Sequence, residues 1–205
     1  MFMPKRNINR AYKRGEAHRD ARLFIIVTEG EREDKYFGWF DRKNQRIRVQ
    51  LVPRQEQASA PKHFLNRLHQ FLDTEGIDPQ IGDNVWFVLD VDKWTRESID
   101  ALIIACEQNN QWHIAISNPC FEVWLNLHHG PLPGGDLDCN ALKTMLNTRH
   151  RGGFHPDTIC PLLDDAIRYA QEADTHPEQM FPGRMQTKVH SLAVAMSAVL
   201  GQNWR

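Results

Sequence analysis

Leu23-Phe24-Ile25-Ile26-Val27 runs directly into Thr28-Glu29-Gly30-Glu31, and this junction decides the fold. An unbroken run of β-branched and aromatic residues reads as a strand covered on both faces, since a half-exposed strand would alternate apolar with polar. The polar tetrapeptide ends the strand, and Tyr36, Phe37 and Phe40 then recur at helical spacing. The first unit is therefore strand, tight acidic turn, helix.

The same grammar repeats outward. Ile47 to Val52 alternates as a second strand and is stopped by Pro53. Lys62 to Asp73 carries Phe64, Leu65, Leu68, Phe71 and Leu72 as the apolar stripe of a helix that ends before Glu75-Gly76. Val85-Trp86-Phe87-Val88-Leu89 is a third, solidly apolar strand; after Asp90-Val91-Asp92, Thr95 is placed to cap a helix bearing Ile99, Leu102, Ile103 and Cys106. Trp112 to Ser117 is the fourth strand, and Pro119 opens a helix through Leu125. Four strands alternating with four helices predict an α/β fold: a Rossmann-like, parallel four-stranded sheet flanked by helices on both sides. Past the Gly130 to Gly135 loop only helical patterns remain, near 139–147, 158–172 and 186–200, which predicts a C-terminal helical extension packed on the core. The expected organisation is a basic arm at 1–22, an α/β core at 23–130 and the helical extension at 131–205.

Composition bounds the function. With 205 residues, 25 Lys+Arg and 26 Asp+Glu, the formal net charge is -1, which excludes a polyanion-binding surface spread over the whole chain. Any nucleic-acid contact must be local. Lys5, Arg6, Arg10, Lys13, Arg14, Arg19 and Arg22 are offset only by Glu16 and Asp20, so the first segment reads either as a solvated terminus or as a phosphate-contacting arm. The apolar runs are too short to span a bilayer and the start of the sequence has no apolar leader pattern, so the expectation is a cytoplasmic protein without membrane contact. Cys106, Cys120, Cys139 and Cys160 are too dispersed for a zinc motif and read as reduced thiols, while adjacent His128 and His129 lack the helical spacing of shared ligands.

In an open parallel sheet, ligands bind outside the carboxyl ends of the strands. The residues expected there are acidic: Glu29 after the first strand, Asp90 and Asp92 after the third, and Asn118 followed by Glu122 after the fourth. Converging carboxylates repel unless a cation sits among them, and oxygen-only ligands suit Mg²⁺ or Mn²⁺. Such an ion can stabilise the attacking and leaving oxygens of a phosphodiester. The two-residue period lets Asp90 and Asp92 point the same way. Rival chemistries lack their motifs: Glu29-Gly30-Glu31 is neither a GxGxxG fingerprint nor a phosphate loop followed by Lys-Ser/Thr, and no serine lies in a GxSxG elbow.

A hydrophobic strand ending in Glu29-Gly30-Glu31, followed by one ending in Asp90-Val91-Asp92, resembles the TOPRIM fold of topoisomerases, primases and related nucleases. Adding Tyr36-Phe37, Val88 to Asp92, the segment Ser117-Asn118-Pro119-Cys120-Phe121-Glu122-Val123-Trp124-Leu125 and the region of Thr187, Lys188 and Val189, the chain resembles the RloB family, found beside restriction-modification and defence genes, over roughly residues 20 to 200. The resemblance implies a metal-dependent nuclease with an ATPase partner and nucleic acid as substrate. Glu29 would be the general acid or base, and Asp90 and Asp92, with Glu29, would hold Mg²⁺. Glu31, Asn118, Glu122 and Lys188 are additional candidates, and Arg184 is a further cation near the last of these. Glu122 also has a purely structural reading, bonding first-turn amides of a helix that Asn118 caps. Trp86, Trp112 and Trp124 read as core residues. The leading expectation is a Mg²⁺-dependent TOPRIM-type nuclease of an RloB-like defence system, with homo-oligomerisation open. The alternative is a non-catalytic regulatory or nucleic-acid-binding subunit of an ATPase-containing complex.

Overall fold

The computed structural model describes residues 21–54, 60–92, 94–150, 153–201 and 204. The basic positions Lys5, Arg6, Arg10, Lys13, Arg14 and Arg19 lie outside the described residues. Element order is β1 (Arg22–Thr28), α1 (Glu31–Gly38), β2 (Ile47–Leu51), α2 (Phe64–Glu75), β3 (Asn84–Asp90), α3 (Arg96–Glu107), β4 (Trp112–Asn118), α4 (Glu122–Leu127), α5 (Cys139–Arg149), α6 (Pro156–Ile159), α7 (Leu163–Ala173), β5 (Gln186–Thr187) and α8 (Val189–Leu200).

The described strands form one sheet in the order β2-β1-β3-β4-β5. β1, β2, β3 and β4 are parallel, with Ile25 opposite Val85 and Val88 opposite Ala115. The sheet is mixed, however, because β5 pairs antiparallel to β4 through Ser117↔Thr187 and Asn118↔Gln186. The four expected strands are parallel, but the fifth, antiparallel strand corrects the expectation of an all-parallel four-stranded sheet and of a purely helical extension. Two residues carry no periodicity, so β5 is formed by its partner: Lys188 N–H donates to Ile116 O at 2.8 Å, and the Ser117 and Thr187 hydroxyls meet at 2.9 Å.

Alternation along the central strands divides the core into two layers. Phe24, Ile26, Trp86, Val88 and Ala115 face a layer that includes Tyr36 and Phe37 of α1, Trp124 of α4, Leu142 of α5 and Leu192 of α8. Ile25, Val27, Val85, Phe87, Leu89 and Ile116 face the other layer, with Phe64 and Leu68 of α2 and Ile99 and Leu102 of α3. The C-terminal helices thus share the first layer with the sheet. Trp86 and Trp124 are buried, and Trp112 is half-buried against the second layer. Gly76, at φ 62°, ends α2 by placing its N–H on Leu72 O, a left-handed conformation that glycine adopts without strain.

Because β1 lies between β2 and β3, the chain steps from β1 to β2 on one side and then crosses back past β1 to β3 on the other. The crevice where strand order reverses lies at the carboxyl ends of β1 and β3, where Glu29, Gly30 and Asp90 sit. Arg67 of α2 locks this end of the sheet. Its buried guanidinium donates to Thr28 O at 3.0 Å, Val52 O at 3.3 Å and Pro53 O at 3.4 Å, so three strand-end carbonyls share one cation. Among the described residues no helix is long and apolar enough to cross a membrane.

Candidate metal centre

A cleft of about 480 Å³ opens at the switch point, with Glu33, Asp90, Asp92 and Glu122 among its lining residues. Asp90 and Asp92 both reach it, as their two-residue spacing predicts. Asp92 is exposed at the mouth, where the Cys139 thiol approaches its Oδ2 at 3.7 Å. Asp90 is different. Its Oδ1 is buried and has no hydrogen-bond partner, an expensive condition for a carboxylate. Burial, followed by repulsion from Glu33, Glu29, Glu122 and Asp92, holds its pKa well above the usual aspartate range.

Glu33 explains much of that field. It is the third residue of α1, after Gly30 at the N-cap, and its carboxylate folds back beneath the turn. A Cβ on Gly30 would come within 2.6 Å of Glu33 Oε2, so glycine is what permits this approach. Burial first of all, with the charges of Glu122, Glu29 and Asp34 adding to it, raises the Glu33 pKa to about 7 against a lowering bond to its own amide. The sequence reading missed Glu33. The available signal was the glycine-to-glutamate spacing of a helix start, where the third residue turns back toward the cap.

Glu29 stands apart from the cleft lining. It follows Val27 in strand parity and so belongs to the second face. There its Oε2 accepts from the Trp94 indole at 3.1 Å and from the Asp90 amide at 3.3 Å, tying the ends of β1 and β3 together. Glu122 is buried at the first turn of α4 and ion-paired to Arg32 of α1. The expected cap by Asn118 does not form: Phe121 occupies the N-cap without a side-chain bond, and the Asn118 amide, which precedes a cis peptide to Pro119, donates to Pro182 O at 3.2 Å. Glu31 is exposed at the rim and pairs with Lys35 at 2.7 Å. Lys188 is buried away from the cleft lining, with its ammonium on Asp174 Oδ2 at 2.6 Å and His176 O at 2.7 Å. Arg184 is held by Asp136 and by Leu137 O at 3.1 Å.

The other reactive groups are quiet. Burial pushes the Cys120 and Cys139 thiols up, which disfavours the thiolate. His128 accepts from the Tyr36 hydroxyl at Nε2, 2.9 Å, and donates to Trp124 O at 3.0 Å; burial first of all lowers its pKa to about 3, so the ring is neutral.

A family model described as RloB-like protein matches residues 24–196. The chain belongs to the RloB-like family. Neither the curated proteins nor the solved structures contain a significant match to it. The matched segment of this RloB-like chain holds every cleft carboxylate. A hard divalent cation fits these donors: they are all oxygen, they crowd one crevice, and Asp90 Oδ1 is left without a partner. Among the described residues, no three His, Cys, Asp or Glu side chains are already drawn together as a finished cage, so the acids would close on the ion with water completing its shell.

Proposed function

We propose that this RloB-like protein is a Mg²⁺- or Mn²⁺-dependent phosphodiesterase acting on nucleic acid, with a TOPRIM-type arrangement of its central strands. The observation that carries the reading is the partnerless, buried Asp90 Oδ1 among four other carboxylates at the switch point. No structural bond explains that oxygen, whereas a cation would relieve its isolation and the repulsion together. The order of motifs supports the finer fold assignment: Glu29-Gly30 ends the central β1 and Asp90-Val91-Asp92 ends the adjacent β3.

Asp90 and Asp92 would hold the ion, with Glu122 and Glu33 in reach of the same cleft. When bound, such a cation polarises a phosphoryl oxygen and favours an ionised water at neutral pH. Glu29, fixed by the Asp90 amide and Trp94, keeps Asp90 aimed into the cleft. Proton transfer falls to Glu29, as the resemblance implies, or to Glu33, whose carboxyl titrates near neutrality and is therefore suited to both accept and release a proton. The setting we propose is cytoplasmic defence beside an ATPase partner, with the basic segment before residue 23 assisting capture of nucleic acid.

The test is cleavage of labelled DNA and RNA by the purified full chain with Mg²⁺, with Mn²⁺ and with EDTA, alone and with its neighbouring ATPase. Metal-dependent cleavage lost in Asp90→Asn is the expected result. Intact substrate under every condition would overturn the catalytic reading and leave a regulatory, metal-binding subunit. Glu29→Gln and Glu33→Gln then separate the two proton-transfer candidates by their pH-rate profiles.

A further inference from the structure

The cleft is layered in charge. Its floor is acidic, yet its walls carry Arg32 and Lys35 on α1 and Lys143 on α5. The two α1 cations are already engaged, Arg32 with Glu122 and Lys35 with Glu31. Lys143 is exposed, lines the cleft, and has no ion pair among the described residues.

Its position follows from α5. Leu142 and Leu146 are buried in the core, which leaves the stripe Cys139, Lys143, Asn147, spaced four apart, on a neighbouring face: Cys139 half-buried against the core, Lys143 and Asn147 exposed at the cleft. Asp138 fixes the start of the helix by accepting from Ala141 N–H at 2.7 Å. The Cys139 thiol, 3.7 Å from Asp92 Oδ2, pins the lower end of the stripe to the acid rim. Lys143 therefore stands one turn above the carboxylates, about 6 Å along the helix axis. Asn147 continues the wall, its amide oxygen packed so closely over Gly153 that a Cβ there would meet it at 2.8 Å. An ammonium beside that acidic floor can offset the repulsion that an approaching phosphate would meet there.

We infer that α5, through Lys143 with Asn147 beside it, is the wall that contacts the phosphate backbone and positions a nucleic-acid strand over the carboxylates. The inference rests on the phosphodiesterase reading for the identity of the ligand. It assigns substrate positioning to the segment after residue 130, which the strand-end motifs do not reach. Lys143 is a positioning residue, whereas Asp90 is placed at the reacting centre.

The experiment measures binding of short fluorescein-labelled single-stranded DNA and RNA by anisotropy, in Mg²⁺ across a salt series, in an Asp90→Asn background. Against that background, adding Lys143→Glu should weaken both ligands by about tenfold and reduce the slope of log K against log salt by about 0.7, the share of one phosphate contact on a single strand. Lys143→Arg should restore both quantities, and melting temperatures should match, since the residue is exposed. Unchanged affinity and slope in Lys143→Glu would overturn the inference, as would failure of the background protein to bind either strand. If Asp90→Asn still cleaves while Lys143→Glu loses the salt slope, the metal assignment fails and the phosphate wall stands.

Discussion

Two aspartates stand at the two ends of β3, and they are treated in opposite ways. Asp83, just before the strand, is buried with both oxygens bonded: Oδ1 accepts from Leu23 N–H and Oδ2 from Gln80 N–H, each at 2.9 Å. Asp90, at the other end, has a buried Oδ1 with no partner and acidic neighbours. The first is a structural joint between β1 and the turn into β3. The second is a carboxyl with no structural bond at Oδ1, its pKa pushed up by burial, at the crevice where ligands are expected to bind. A buried carboxylate is thus informative only through its bonds.

The sharpest way to break this contrast is to remove each charge. Asp90→Asn should lower metal-dependent cleavage by at least about 100-fold, since even groups behind metal ligands are worth 10- to 100-fold. Asp83→Ala should leave cleavage per folded molecule unchanged but cost about 3 kcal/mol of stability, because two backbone N–H groups lose their charged acceptor. Thermal unfolding read beside a nuclease assay separates the two. A Asp83→Ala protein as stable as wild type, or a Asp90→Asn protein that cleaves normally, would erase the distinction.

A smaller effect concerns pH without metal. The Glu33 pKa is raised to about 7, so the unfolded chain releases its proton first, and stability is full below the ordinary value of 4.5 and is lost as pH rises through about 7. Asp90, raised for the same reasons, adds to that loss. Melting temperature of the metal-free protein should therefore fall as pH rises from 4.5 through about 7, and Asp90→Asn should flatten the fall. An equal slope in both would show that the acids do not share a field. The smallest expected change is on the acid side. His128 is lowered from 6.5 to about 3, so its contribution is present above 6.5 and is lost as pH falls toward 3. His128→Gln should make that acid limb shallower, read as melting temperature against pH.

What was legible in the sequence followed from pattern. Solid apolar runs marked β1 and β3 because strands covered on both faces need no alternation, and the two-residue period placed Asp90 and Asp92 together. Parity also held the clue that Glu29 and Asp90 lie on different faces, visible only once Val27 and Val88 are assigned to separate layers. β5 was illegible because a two-residue strand is induced by its neighbour. Glu33 was not singled out, because its burial comes from packing under Gly30 rather than from any apolar pattern. Lys188 was expected among the site residues, yet its partner Asp174 lies on a segment whose approach no local pattern reveals. Arg67 sits beside Leu68 on an amphipathic helix, where nothing distinguishes a buried clamp from a solvated arginine.

The proposal turns on Asp90 Oδ1, buried and without a hydrogen-bond partner, meeting a hard cation. Calorimetric titration of Mn²⁺ into the full chain above neutral pH, wild type against Asp90→Asn, tests it most directly. Saturable binding is expected in the wild type and its loss in the variant, together with a metal-induced rise in melting temperature confined to the wild type. Equal heats and equal melting shifts in the two proteins, or none in either, would contradict it.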